Sequence, residues 1–126
     1  MGRLKEIILE NVVGSLVPTD NKNCQIAVST LVLNYSVAST TFGFDADLQK
    51  RCTTLASLLI SRLTEPAATY RTLIALGTLL EASSANVTEA RAMDMRDSVK
   101  SIMMNADQGQ KIQTVAKLIL NRLDPK

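Results

Sequence analysis

Aliphatic residues return at helical steps along nearly the whole chain, and this periodicity constrains the fold more than any other feature. Leu48, Cys52, Leu55, Leu59 and Leu63 follow one another at steps of four or three, which places all five on one face of an α-helix. Leu4, Ile7, Ile8, Val12 and Leu16 describe a similar stripe over Arg3 to Leu16. Alternation with period two is nowhere sustained, and the β-branched residues fall inside runs with helical spacing. The chain therefore reads as all-α.

Punctuation between the runs sets the helix order. Pro18-Thr19-Asp20 ends the first helix, and Asp20 or Asn21 is placed to cap a second over Lys22 to Ala38. Ile26, Leu33 and Val37 share one face of that helix, and Val28, Leu31, Val32 and Tyr35 widen it until the helix is apolar nearly all round. Asp45 is the expected cap of a third helix running through Leu63. Pro66, in a first turn where no amide donor is lost, opens a fourth that reaches Ala82. Val87 to Met104 reads as two short helices or one irregular one, and Gln110 to Leu123 as the last.

Composition closes off whole classes of chemistry. Among 126 residues there is no histidine and no tryptophan, and only 3% are aromatic. Without histidine the commonest general base, transition-metal ligand and pH switch are missing, and neither Ser-His-Asp nor Cys-His machinery can be assembled from this chain. A net charge of +2 is too small for bulk nucleic-acid binding, and there are too few rings for a single-strand stacking platform. Cys24 and Cys52 fit no metal or redox spacing and read as buried thiols of a reducing compartment. No apolar run approaches the ~18 residues of a membrane span. Met1-Gly2-Arg3-Leu4-Lys5 matches no targeting pattern, and Glu6 breaks the myristoylation motif. The sequons at Asn34 and Asn86 are accordingly read as irrelevant. The expectations are a cytoplasmic or nuclear protein with no cofactor, no metal, no nucleic acid and no membrane partner.

The helices also have a rhythm. Leu31-Val32-Leu33-Asn34 recurs as Leu118-Ile119-Leu120-Asn121, with Leu76-Gly77-Thr78-Leu79 between them. Spacings of this size fall near the roughly 40 to 47 residues of armadillo and HEAT repeats. About six helices, forming roughly three two-helix units in one domain over residues 1–126, follow as the expected architecture.

Two blocks carry a family resemblance. Asn21-Lys22-Asn23-Cys24-Gln25-Ile26-Ala27, continuing through Thr30 to Val37, and Ala68-Thr69-Tyr70-Arg71-Thr72-Leu73-Ile74-Ala75-Leu76-Gly77-Thr78-Leu79 resemble the PUL domain. That domain closes the phospholipase A2-activating protein family of WD-repeat, ubiquitin-binding adaptors. The resemblance spans about residues 20 to 123. It implies an armadillo-like superhelix that binds the carboxy-terminal tail of the valosin-containing AAA+ ATPase, in ubiquitin-dependent degradation and ubiquitin recycling. Ubiquitin itself would be an indirect partner, and no lipase activity is implied. PUL domains are usually longer on the amino-terminal side, so the resemblance implies that this chain is the carboxy-terminal portion of one. Plant proteins attach such domains to thiol isopeptidases, but those use a Cys-His pair that this chain cannot supply.

Candidate binding residues follow from helical stripes. Asn34, Thr30, Ala27 and Asn23 share one; Leu79, Ala75 and Arg71 a second; Asn121, Lys117 and Gln113 or Thr114 a third. Stacked across repeats, these stripes would line a concave face. Asparagine both donates and accepts, so it suits a peptide backbone. Arginine offers a planar fork for carboxylates. An acidic tail with a free terminal carboxylate would suit Arg71, Lys22 and Lys117, and the resemblance, whose groove is basic, supports Arg71 most directly. The candidate set is Arg71, Asn34, Lys22, Asn23, Thr30 and Lys117.

Plainer roles compete at each position. Asn34 would equally bridge repeats through a neighbouring backbone, and Arg71 would pair with an acid such as Glu65. Lys22 and Lys117 would be simply solvated, and Tyr35 and Tyr70 would be core residues with a bonded hydroxyl. The five methionines, four of them between Met93 and Met104, suit gap-filling in an irregular layer as well as an adaptable patch. Two functions result. One is a non-catalytic peptide-binding module. The other is a structural repeat segment that spaces its neighbours or self-associates through Leu4, Ile7, Ile8 and Val12.

Overall fold

The computed structural model describes residues 21–41, 46–60, 62–104 and 109–123. These form six helices: α1 (Lys22–Thr41), α2 (Ala46–Ile60), α3 (Pro66–Ala82), α4 (Ser84–Ala92), α5 (Met95–Met103) and α6 (Gln110–Leu123). There is no strand among the described residues. The expected helix over Arg3 to Leu16, and with it the self-association surface, lies outside them, as does the cap at Asp45.

Local chemistry explains the boundaries. Asn21 Oδ1 accepts the Cys24 N–H at 3.1 Å and so caps α1. Glu65 caps α3 by accepting the Ala67 N–H at 3.4 Å, with Pro66 in the first turn. Ser83 both ends α3 and caps α4 through its Oγ, which accepts the Ala85 N–H at 3.1 Å. The run expected as two short helices or one irregular helix is two, because Asp94 sits in the left-handed region at φ 56°. α2 is described as far as Ile60, and the Leu63 N–H still donates to the Leu59 carbonyl at 3.1 Å, with Leu63 half-buried.

Three cross-helix anchors define the architecture. Lys22 and Gln25, at the start of α1, reach Glu65 and Thr64 at the start of α3. Lys111, at the start of α6, lies 5.1 Å from the centre of the Tyr70 ring, while Arg122, at its end, pairs with Glu81 at 3.2 Å. Thus α1, α3 and α6 run parallel, side by side, in one layer. Behind them α2 and α4 also run parallel, joined by Gln49–Asn86 and Thr54–Glu89, and α5 packs on α6. Two layers of helices in repeating order make an all-α helical repeat.

The core lies between the layers: Val28 and Val32 of α1, Leu48, Cys52 and Leu59 of α2, Leu73, Leu76 and Leu79 of α3, Met95 and Val99 of α5, Ile119 and Leu123 of α6. The buried side of α1 departs from the Ile26, Leu33 and Val37 face expected from sequence. Val37 is 42% exposed, and the buried stripe is Gln25, Val28, Ser29, Val32, Ser36 and Ser39. The serines tolerate burial because each hydroxyl donates to a carbonyl of its own helix: Ser29 to Ile26, Ser36 to Val32 and Ser39 to Ser36, at 2.7–2.9 Å. Satisfied in this way, they act as small side chains that let α1 lie close against its neighbours. Of the two thiols, Cys52 is buried as expected, while Cys24 is only half-buried.

Candidate peptide-binding face

α2, α4 and α5 cover one side of the parallel layer, and among the described residues no helix covers the other side. On α1 it carries Asn23, Ala27, Asn34 and Val37, all exposed, with Thr30 half-buried among them. On α6 it carries Thr114, Lys117, Leu118 and Asn121, all exposed. Both outer stripes expected from sequence are therefore solvent-facing. The middle one is not: Ala75 and Leu79 are 0% exposed. Helix α3 has neighbours on both flanks and a layer behind it, so only a narrow strip opens, through Ala67, Tyr70, Arg71, Ile74, Gly77, Thr78 and Glu81. Of the expected middle stripe, Arg71 alone belongs to it.

The anchors also give the register. Gln25 contacts residues 39 and 40 positions later, and Arg122 contacts Glu81 across 41 positions. Helices at 1.5 Å rise per residue then place Thr30 level with Tyr70, one residue before Arg71. Asn34 falls level with Ile74, about one turn further on, and Gly77 level with Lys117–Leu118, just under a turn beyond that. The triplet of Leu31, Leu76 and Leu118 is not a set of equivalent positions. Leu31 is half-buried, Leu76 is core and Leu118 is 61% exposed. The helices repeat, whereas the leucines do not.

Individual contacts decide between the competing roles. Arg71 does not pair with Glu65. It donates from Nη1 to the Ala67 carbonyl at 3.3 Å and meets no carboxylate among the described residues. Glu65 is held instead by Lys22 at 3.9 Å. With Lys22 80% exposed, that pair is a weak, screened contact. Asn34, Asn23 and Lys117 are exposed and their side chains make no hydrogen bond within the described residues, so Asn34 forms no ladder there. Thr30 spends its hydroxyl proton on the Ile26 carbonyl at 2.7 Å and keeps only acceptor capacity. Tyr35 and Tyr70 are half-buried and pack on the core.

Sequence reading missed four residues. Lys111 joins the cations of the open face by lying over Tyr70. Leu118 and Gly77 lie between the cations. Gln25, inside the first resemblance block, is 3% exposed and works structurally. Its Oε1 accepts the N–H groups of Thr64 and Glu65, and its Nε2 donates to Thr64 Oγ1, each at 3.0 Å. Only Gly77, an interior helix glycine, was conspicuous in the sequence. A separate hollow of about 270 Å³ opens between the starts of α2 and α4, but Asp47, Lys50 and Glu89 give its rim no single charge.

An open layer of parallel helices with cations spread along it defines a helical-repeat, protein-interaction module. Comparison with known proteins sharpens this. The PUL domain family model matches residues 4–118, and the chain belongs to that family. The match starts upstream of the residue-20 boundary suggested by the sequence blocks. A curated relative, the phospholipase A-2-activating protein of Xenopus laevis, is 28% identical over 119 residues, covering 94% of this chain. The chain spans 14% of that relative's length.

Proposed function

We propose that this chain is a non-catalytic adaptor module that holds the carboxy-terminal tail of the valosin-containing AAA+ ATPase, serving ubiquitin-dependent degradation and ubiquitin recycling in the cytoplasm or nucleus. One observation carries the reading. Arg71 sits on the open strip of the central helix, and among the described residues its guanidinium bonds only to a carbonyl of its own helix. Lys22 and Lys111 lie nearby at the starts of the flanking helices, and Lys117 further along α6. A planar fork that meets no carboxylate among the described residues suits, in such a setting, an acidic segment or a terminal carboxylate. Thr30 and Asn34 on α1 supply neutral partners for an extended backbone. Membership of the PUL family is consistent with this role.

Calorimetric titration of the chain with a synthetic ATPase-tail peptide tests it. Wild-type protein should bind, and Arg71→Asp should weaken binding several-fold or more at unchanged melting temperature. Absence of binding to wild type would remove the assignment. Unchanged affinity in the variant would remove Arg71 from the site.

A further inference from the structure

Gly77 lies in the interior of α3, where glycine is the poorest ordinary helix former. Packing among the described residues gives no reason for it. A Cβ built there would meet, among those residues, only Ile119 Cγ1, at 3.9 Å, an ordinary van der Waals contact. Alanine would fit and would stiffen the helix. The glycine is half-buried on the α3 strip that borders α6. Level with it on α6, by the 41-residue register, stands Leu118, 61% exposed. One turn earlier on α3 is half-buried Ile74. These three make an apolar gap in a face otherwise marked by Arg71, Lys111 and Lys117.

From this arrangement we infer that Gly77, Ile74 and Leu118 form a notch that takes one apolar side chain of an acidic peptide, whose neighbouring carboxylates meet Arg71, Lys111 and Lys117. The inference rests on the peptide-binding reading above and adds a specificity-determining position to it. Having no side chain, Gly77 lets the incoming group reach the α3 backbone. A methyl group there would occupy that depth. Charge selects the acidic character of the ligand, and the notch sets where its apolar residue must fall.

The test uses the whole 126-residue chain, a fluorescein-labelled ATPase-tail peptide, and the variant Gly77→Ala. Two effects of opposite sign are expected. The melting temperature should rise by a few degrees, because alanine is the better helix former and has room. Peptide affinity should fall about tenfold, the scale on which an apolar pocket senses a methyl group. Replacing the tail's apolar residues by alanine one at a time should identify one whose loss weakens binding to wild type but weakens binding to Gly77→Ala little further. If the tail binds wild type and Gly77→Ala equally, the notch is overturned and the peptide-binding reading stands. A lowered melting temperature in Gly77→Ala would show that the fold itself needs the glycine, and would likewise overturn the notch. Failure of the tail to bind wild type would overturn both.

Discussion

Replacing Gln25 by methionine removes, at nearly constant volume, a buried link between the start of α1 and the turn that opens α3, leaving the exposed Lys22–Glu65 contact in place. The amide makes three hydrogen bonds of 3.0 Å while 3% exposed: two from the backbone N–H groups of Thr64 and Glu65, and one to Thr64 Oγ1. A net hydrogen bond contributes about 1 kcal/mol, and a donor stranded away from water costs about 1–3 kcal/mol. Thr64 is exposed and Glu65 half-buried, so water recovers part of the loss, and the expected destabilisation is about 3 kcal/mol. For a domain of this size that corresponds to a drop in Tm of roughly 10 °C. Urea unfolding followed by far-ultraviolet circular dichroism measures it, with an unchanged slope expected because the buried surface is the same. Thr64→Val, which deletes one of the three bonds, should cost about 1 kcal/mol. If Gln25→Met costs less than Thr64→Val, the reasoning that Gln25 holds the two helices in register is wrong.

Two further substitutions probe the fold elsewhere. Asn86 is buried, and its Nδ2 donates to Gln49 Oε1 at 3.0 Å and to the Leu79 carbonyl at 2.8 Å; Asn86→Ala leaves both acceptors dry and should cost about 2–4 kcal/mol, read by thermal denaturation. Asp94 occupies the left-handed region at φ 56° without a side-chain cap, so Asp94→Gly should stabilise by about 1 kcal/mol; a loss of stability in the same melt would show that its side chain has an uncredited role.

Helix positions were legible because their signals are local. Asn21, Glu65 with Pro66, and Ser83 cap or open helices through atoms a few residues away, and the α2 stripe of Leu48, Cys52, Leu55 and Leu59 buries as its spacing requires. What sequence could not show was relative placement. The serines of α1 look polar until their hydroxyls are seen bonded to their own helix, and only then does the buried side move away from Val37. The apolar circumference of α3 announced burial on most sides, but not that the remaining gap would open at Arg71, Ile74 and Thr78 rather than at Ala75 and Leu79. That gap is set by α1 and α6, whose contacts lie about forty residues away. For the same reason Lys111 escaped notice: its place on the face depends on Tyr70 of a different helix.

The parallel course of α1, α3 and α6 gives the open face a polarity that no side chain supplies. Each helix carries the equivalent of about half a positive charge at its amino-terminal end and half a negative charge at the other. Antiparallel α2 and α4 behind the layer offset part of these partial charges, but along the open face three like ends meet at one edge. An acidic segment is thus favoured at that edge and disfavoured at the opposite one even before any lysine is counted. The effect fades within a helical turn, so it acts on where an anionic group comes to rest rather than on attraction from afar. Neutralising the surface lysines would weaken such a ligand's hold yet leave its preferred direction across the face built into the backbone.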